Sequence, residues 1–295
     1  MKKISILLAC LVCFSNLVNS QSQPPLRIIV FGGHPDDCDL NVGGTAFLLA
    51  RMGYAIKFVS LTSGDAGHHE MDPESIAARR RLEAQEAGSR LGVEYEVLDH
   101  HDGGLVPSLE ARLQVVRKIR EWNADVVITP RPSDYHPDHR YTGVLVQDAA
   151  YLVGVPNIAP DTPPLKKNPF FLYYEDDGQL PHPFRPDVAI DITSVIDEKI
   201  YALDAHESQF YEWLPWLGGY LSKVPQDKSE RRKWLVGNRG GRISPEARAS
   251  LDKWYGSKSK DVKYAETFAV CEFGRPATEE DLRRIFPMLP QAPEK

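Results

Sequence analysis

The apolar run Leu26-Arg27-Ile28-Ile29-Val30 passes directly into Phe31-Gly32-Gly33-His34-Pro35-Asp36-Asp37, and this junction limits the possible folds more than any other stretch. Consecutive β-branched and apolar residues that end in glycines predict a buried strand followed by a turn, which is where open α/β sheets place ligands. The turn carries an imidazole and two adjacent carboxylates. Pro35 fixes one backbone φ, so the three side chains keep a defined relative geometry. His34 and Asp37 are spaced to reach one metal ion. Neighbouring side chains do not easily serve the same ion in the same way, which leaves Asp36 free to act as a base on a metal-bound water.

The same strand-then-helix rhythm continues downstream. Residues 41–52 place Phe47, Leu48, Leu49 and Met52 on a helical face that Gly53 closes, and residues 55–61 read as a second strand. A long helix is predicted from Pro73 to Leu91, ended by Gly92. A strand over 95–98, a helix over 109–122 with Leu113, Val116, Ile119 and Trp122 in one stripe, and a strand over 125–129 follow. Strand alternating with helix predicts the α/β class, a doubly wound, mostly parallel sheet with helices on both faces. Beyond it the pattern predicts a loop over 131–140, a helix over 143–152, a Pro-rich loop over 156–169, and strands over 170–174 and 188–192. A helix over 194–206, capped by Thr193 or Ser194, completes the series. From about Glu207 the periodicity weakens. The expected division is therefore a main domain over 21–210 and a smaller C-terminal section over 211–295 packed on the same domain, near the sheet edge. Its Trp213, Trp216 and Trp234, with Trp254, are candidates for stacking on sugar rings, although aromatics more often serve as core. Arg231-Arg232-Lys233 reads as a solvated face.

A second turn, Asp134-Tyr135-His136-Pro137-Asp138-His139, leaves the fourth predicted strand on the same edge of the sheet as the first. With His34 and Asp37, His139 supplies the third protein ligand of a catalytic metal that keeps one position open for water. His136 then stands outside the ligand set, placed to polarise a carbonyl or protonate a leaving amine. A lone histidine usually satisfies a local hydrogen bond. Two His-Pro-Asp turns at the ends of two strands of one sheet are hard to explain that way. His68, His69, His100, His101 and His182 lack such support and read as loop or surface residues.

Composition narrows the setting. Met1-Lys2-Lys3, a mostly apolar run from Ile4 to Phe14, and Val18-Asn19-Ser20 predict an export signal over 1–20, too short to span a bilayer. The expected product is soluble after cleavage, periplasmic or extracellular; a lipoprotein anchored at Cys10 is the weaker alternative. Cleavage removes two lysines and takes the formal charge from −6 to −8. An acidic chain without a basic patch argues against a nucleic-acid partner, and no later stretch is long enough to be a transmembrane segment. Only Cys38 and Cys271 remain after cleavage, so no disulfide framework is implied. Cys38, beside the first turn, reads as a buried packing residue rather than a thiolate ligand.

Taken in order, several stretches resemble the PIG-L/LmbE-like family of zinc-dependent de-N-acetylases. They are His34-Pro35-Asp36-Asp37, Arg80-Arg81-Leu82-Glu83 ahead of Leu91-Gly92-Val93, Asp102-Gly103-Gly104-Leu105, and His136-Pro137-Asp138-His139-Arg140 with Thr142-Gly143. Asp191-Ile192-Thr193, Lys199, Ala202-Leu203 and His206-Glu207-Ser208-Gln209 extend the likeness to about residue 210, with a fainter echo at Tyr264-Ala265-Glu266-Thr267-Phe268. The resemblance implies a Rossmann-like fold, one Zn2+ on His34, Asp37 and His139, Asp36 as general base, and His136 as the carbonyl-polarising or acid residue. It also implies that Arg80 and Asp102 touch substrate hydroxyls. The implied reaction removes an acetyl or other acyl group from an amide nitrogen, most often on an N-acetylglucosamine-containing sugar or glycan.

Three other readings compete. A non-sugar N-acyl substrate would use the same chemistry. A facial triad of a non-haem iron oxygenase shares the ligand types but normally sits on antiparallel barrel strands. A non-catalytic, metal-containing carbohydrate-binding protein would have no use for Asp36 and His136.

Overall fold

In the computed structural model, which describes residues 25–290 apart from 177, 179, 180 and 240–242, the chain is built on a seven-stranded sheet. The expected signal over 1–20, with Cys10, and Gly240-Gly241 lie outside the described residues. The strands are β1 (Arg27–Gly32), β2 (Ala55–Thr62), β3 (Glu94–His100), β4 (Val126–Thr129), β5 (Phe170–Tyr174), β6 (Val188–Asp191) and β7 (Ala265–Val270). Their order across the sheet is β3-β2-β1-β4-β5-β7-β6. The first five are parallel, and β7 runs antiparallel between β5 and β6.

Both faces of the sheet are buried, which is why its parallel strands read as continuous apolar runs rather than alternating ones. Ile28 and Val30 of β1 face one core, with Val42, Ala46 and Leu49 of α1 (Asp37–Arg51). Ile29 and Phe31 face the other, with Val115, Val116 and Ile119 of α3 (Leu109–Glu121) and Leu145, Val146 and Ala149 of α4 (Pro137–Leu152). Each of the valines, leucines, isoleucines and Phe31 in these cores contributes about 1.5–3 kcal/mol relative to exposure, and the alanines less. The long helix α2 (Pro73–Leu91) is opened by Asp72, whose carboxylate accepts from Ser75 N, and is closed by Gly92 in the left-handed conformation at φ 73°.

Sequential order breaks at β1. From there the chain moves to β2 and β3 on one side and returns to β4 on the other, so a crevice opens beyond the carboxyl ends of β1 and β4. Both His-Pro-Asp turns leave those ends.

Several expectations are revised. Residues 137–140 are not loop: Pro137 takes the first helical position, where a missing N–H costs nothing, and His136 caps α4. Likewise α1 starts at Asp37 rather than near residue 41. The helix expected over 194–206 is a 3₁₀ turn, Thr193–Val195, followed by α5 (Ile196–Leu203), and neither has a side-chain cap. Thr193 Oγ1 instead accepts the backbone N–H groups of Lys263 and Tyr264 and so ties in the approach to β7.

The C-terminal section packs at the sheet edge, where α8 (Pro245–Tyr255) lies against β6, but it also enters the sheet itself. It supplies β7, between β5 and β6, and four helices outside the sheet, α6 (Leu214–Leu217), α7 (Lys228–Arg239), α8 and α9 (Glu279–Ile285). Glu266 of β7, 4% exposed, accepts the backbone N–H groups of Gly44 and Thr45 on α1 and pairs with Lys199 at 2.8 Å. No helix among the described residues is long and apolar enough to cross a membrane.

Candidate metal centre and catalytic cleft

Glycine makes the meeting of the two turns possible. A Cβ on Gly33 would come within 2.8 Å of the His139 ring, so only a bare backbone lets the turn after β1 lie against the start of α4. The His34 carbonyl accepts the N–H groups of Asp36 and Asp37 at 2.9 and 3.3 Å, a tight turn that launches α1. The N-termini of α1 and α4 thus converge on one place, where their dipoles favour carboxylates.

Three donor atoms face one another there. His34 Nδ1 and His139 Nε2 are 3.0 Å apart, and Asp37 Oδ2 lies 3.2 Å from His139 Nε2 and 3.6 Å from His34 Nδ1. Tetrahedral zinc with nitrogen and oxygen ligands at about 2.0–2.1 Å has ligand atoms about 3.3–3.4 Å apart, so this triangle has the size of one face of such a site. The residues fit a metal ion.

The far nitrogen of each histidine is fastened. His34 Nε2 meets Asp102 Oδ1 at 3.0 Å and Asp138 Oδ2 at 3.3 Å, and His139 Nδ1 meets Asp134 Oδ1 at 2.9 Å. A carboxylate on one ring nitrogen holds the proton there and leaves the other nitrogen's lone pair turned toward the metal position. Asp138, completely buried, also accepts the backbone N–H groups of Gly103 and Leu105, so the Asp102 loop is tied to the second motif.

Electrostatics follow from this crowding. Burial alone would depress His34, but hydrogen bonds to Asp102, Asp138 and Asp37 outweigh it and hold the metal-free imidazole well above its usual value. For His139 burial is likewise overcome, by the Asp37 charge and the Asp134 hydrogen bond, and its value is pushed up to about 9. Against burial, the charge of His139 holds Asp37 well below the usual carboxylate range.

His136 behaves differently. Its ring also comes within ligating reach of His34 and His139, so a three-histidine set is an alternative to the expected one. However, its Nδ1 accepts the backbone N–H of Asp138 at 3.2 Å, as the cap of α4. Burial and the neighbouring charges of His34 and His139 lower its value, so at neutral pH the ring is uncharged and carries its proton on Nε2.

Asp36 Oδ1 lies 3.2 Å from the Arg80 guanidinium, which also donates to the Gly64 carbonyl at 3.3 Å. Arg80 is 2% exposed. These groups and Asp102 line one cleft of about 820 Å³, with Tyr135 and Trp213 also on its walls. The structure thus brings all seven expected site residues, His34, Asp36, Asp37, Arg80, Asp102, His136 and His139, to one place.

Sequence reasoning missed the supporting carboxylates Asp134 and Asp138, although both lie inside the second motif, beside the histidines they serve. His68 and His69, read as loop or surface residues, do lie in the loop between β2 and α2, but that loop is packed against the chain. In the structure the His68 side chain is 4% exposed and pairs with Glu212 at 2.9 Å, and His69 is stacked between His68 and Trp216. Cys38 is fully buried in the core and donates its thiol to the Val30 carbonyl, which fits the packing reading.

A sequence model of the family described as "PIG-L: GlcNAc-PI de-N-acetylase" matches residues 29–150. A diacetylchitobiose deacetylase of Thermococcus kodakarensis is 30% identical over 216 residues, 68% of this chain and 78% of that protein. A 4-oxalmesaconate hydratase of Pseudomonas putida is 25% identical over 226 residues, 74% of this chain and 85% of that protein. Among solved structures, the N,N'-diacetylchitobiose deacetylase of Pyrococcus horikoshii superimposes with a TM-score of 0.62 at 27% identity, covering 83% of each chain.

Proposed function

This chain belongs to the PIG-L family and is a hydrolytic enzyme of the de-N-acetylase type, and from that premise we propose that it removes the acetyl group of an N-acetylglucosamine-containing sugar or glycan with the help of one zinc ion. The observation that carries this reading is the triangle of His34 Nδ1, His139 Nε2 and Asp37 Oδ2, open to the cleft that Asp36 and His136 also line. His34, Asp37 and His139 would hold the ion. His136 is set aside as a ligand because the Asp138 N–H already occupies its Nδ1.

When bound, the ion supplies Lewis acidity and lowers the pKa of water toward about 7. Asp36 takes the proton as the water oxygen attacks the amide carbon. His136 donates from Nε2 to the carbonyl oxygen as negative charge builds on it, a role suited to a neutral imidazole whose tautomer is fixed by a backbone N–H. The carbon–nitrogen bond then breaks, and the proton held by Asp36 passes to the departing nitrogen. The products are acetate and a free amine. Arg80 orients the Asp36 carboxylate throughout.

Acetate release from a panel of N-acetylated sugars, glycans and non-sugar N-acetyl amides, with zinc-loaded protein, is the test. Release from the sugars supports this reading. Release only from non-sugar amides moves the substrate class, and water addition to an unsaturated acid without acetate release replaces the reading with that of the hydratase relative. We further propose export, with cleavage near Ser20, which N-terminal sequencing of secreted protein checks.

A further inference from the structure

Part of the cleft wall comes from a stretch of the chain outside the one matched by the family model. Residues Ser208–Trp213 form a π-helical segment, a rare geometry that often marks functional sites, and it runs into α6. The segment is clamped to α2. Arg79 holds Glu212 through two 2.7 Å bonds, and Glu83 accepts from the Ser208 backbone N–H at 3.0 Å.

On this clamp stands a pile of four rings. Trp213 stacks on Trp216 with ring centres 5.4 Å apart and planes 19° from parallel, Trp216 on His69 at 4.8 Å and 10°, and His69 on His68 at 4.8 Å and 19°. His68 is in turn anchored to Glu212 at 2.9 Å. Trp216, 47% exposed, makes ring contacts with both Trp213 and His69, whereas Trp213 is the end of the pile and lines the cleft. Leu214 and Leu217 line it beside Trp213. An indole fixed from behind in this way is a flat, pre-organised apolar surface that loses little freedom on binding.

We propose that Trp213 is a substrate-binding platform for a second pyranose ring, next to the N-acetylated sugar at the metal centre, so that the substrate is an oligosaccharide or glycoconjugate of at least two sugar units. This rests on the deacetylase reading above. The apolar C–H face of a pyranose carries partial positive charge that matches the negative face of an indole, and its hydroxyl edge stays free for the polar groups of the cleft. Trp216 acts as a positioning residue that keeps Trp213 in place.

The test is kcat/KM for N-acetylglucosamine and its β1,4-linked dimer and trimer, with zinc-loaded wild type, Trp213→Ala, Trp213→Phe and Trp216→Ala. The expected wild-type preference for the dimer is about tenfold or more, equivalent to about 1.4 kcal/mol, and resides in KM. Trp213→Ala abolishes it while leaving the monosaccharide within about twofold, which also shows that the variant is folded. Trp213→Phe keeps part of the preference, and Trp216→Ala raises KM for the dimer alone. If acetate is released but chain length makes no difference, or if Trp213→Ala weakens monomer and dimer alike, the platform is overturned and the deacetylase reading stands. If no N-acetyl sugar releases acetate, both fall.

Discussion

The Arg80 guanidinium lies 3.2 Å from Oδ1 of Asp36, forty-four residues earlier in the chain, with both side chains almost sealed from solvent. The family resemblance leads one to expect Arg80 on substrate hydroxyls; the structure places it on the cleft wall and against Asp36, and under the proposed function it orients the base. Arg80→Met is therefore expected to lower kcat about 10- to 100-fold with metal content unchanged and KM little altered, the usual scale for a residue that orients a catalytic group. A raised KM with normal kcat would instead identify Arg80 as a substrate contact.

Metal uptake should depend on pH in a definite direction. The metal-free His139 imidazole, held up to about 9 against burial by Asp37 and Asp134, must lose its proton before Nε2 can ligate. Apparent zinc affinity is thus expected to rise with pH toward about 9, by up to about tenfold per pH unit for each proton released. Stability of the metal-free protein runs the other way. The folded-state value lies above the unfolded one, so this contribution is fully present below about 6.5 and is lost as pH rises through about 9. Calorimetric zinc titrations between pH 6 and 8, alongside melting of the metal-free protein, check both signs. An affinity that does not change with pH would contradict the loss of a His139 proton on ligation.

Arg120 is expected to matter for stability and not for chemistry. It is 5% exposed, and its guanidinium donates to six backbone carbonyls, those of Leu152, Val153, Val155, Ile158, Ala159 and Thr162, which closes the end of α4 and the loop after it. Arg120→Met leaves those acceptors short of donors and should cost on the order of 3–5 kcal/mol, read by denaturant unfolding. The turnover of the folded fraction should be unchanged.

What could be read from the chain alone follows physical range. The β1 turn and the second His-Pro-Asp motif were legible because each is a local pattern, an apolar run into glycines or a proline at a fixed offset from ligand types. Gly92 as a helix stop is equally local, and it is seen. The insertion of β7 between β5 and β6 was not legible. Its partners lie far back in the chain, and the buried Glu266 in its middle breaks the apolar pattern, because that carboxylate is satisfied only by Lys199 and the α1 backbone. The placing of Arg80 beside Asp36 and the stacking of His69 on Trp216 are likewise products of tertiary packing with no local signature. Asp134 and Asp138 are an intermediate case. A carboxylate beside a ligating histidine is a recognisable support, and both residues sit within the motif.

The measurement that bears most directly on the account is zinc content and turnover determined side by side for Asp36→Asn, His136→Ala, Asp37→Asn and His139→Ala. Asp36→Asn and His136→Ala are expected to keep near-normal zinc while turnover falls about 10²- to 10⁴-fold, because each removes a group that moves or donates a proton. Asp37→Asn and His139→Ala are expected to lose zinc, with activity partly restored by excess metal, because each deletes one corner of the donor triangle. An Asp36→Asn protein that is empty of zinc beside an Asp37→Asn protein that is full would contradict the assignment of ligand and base.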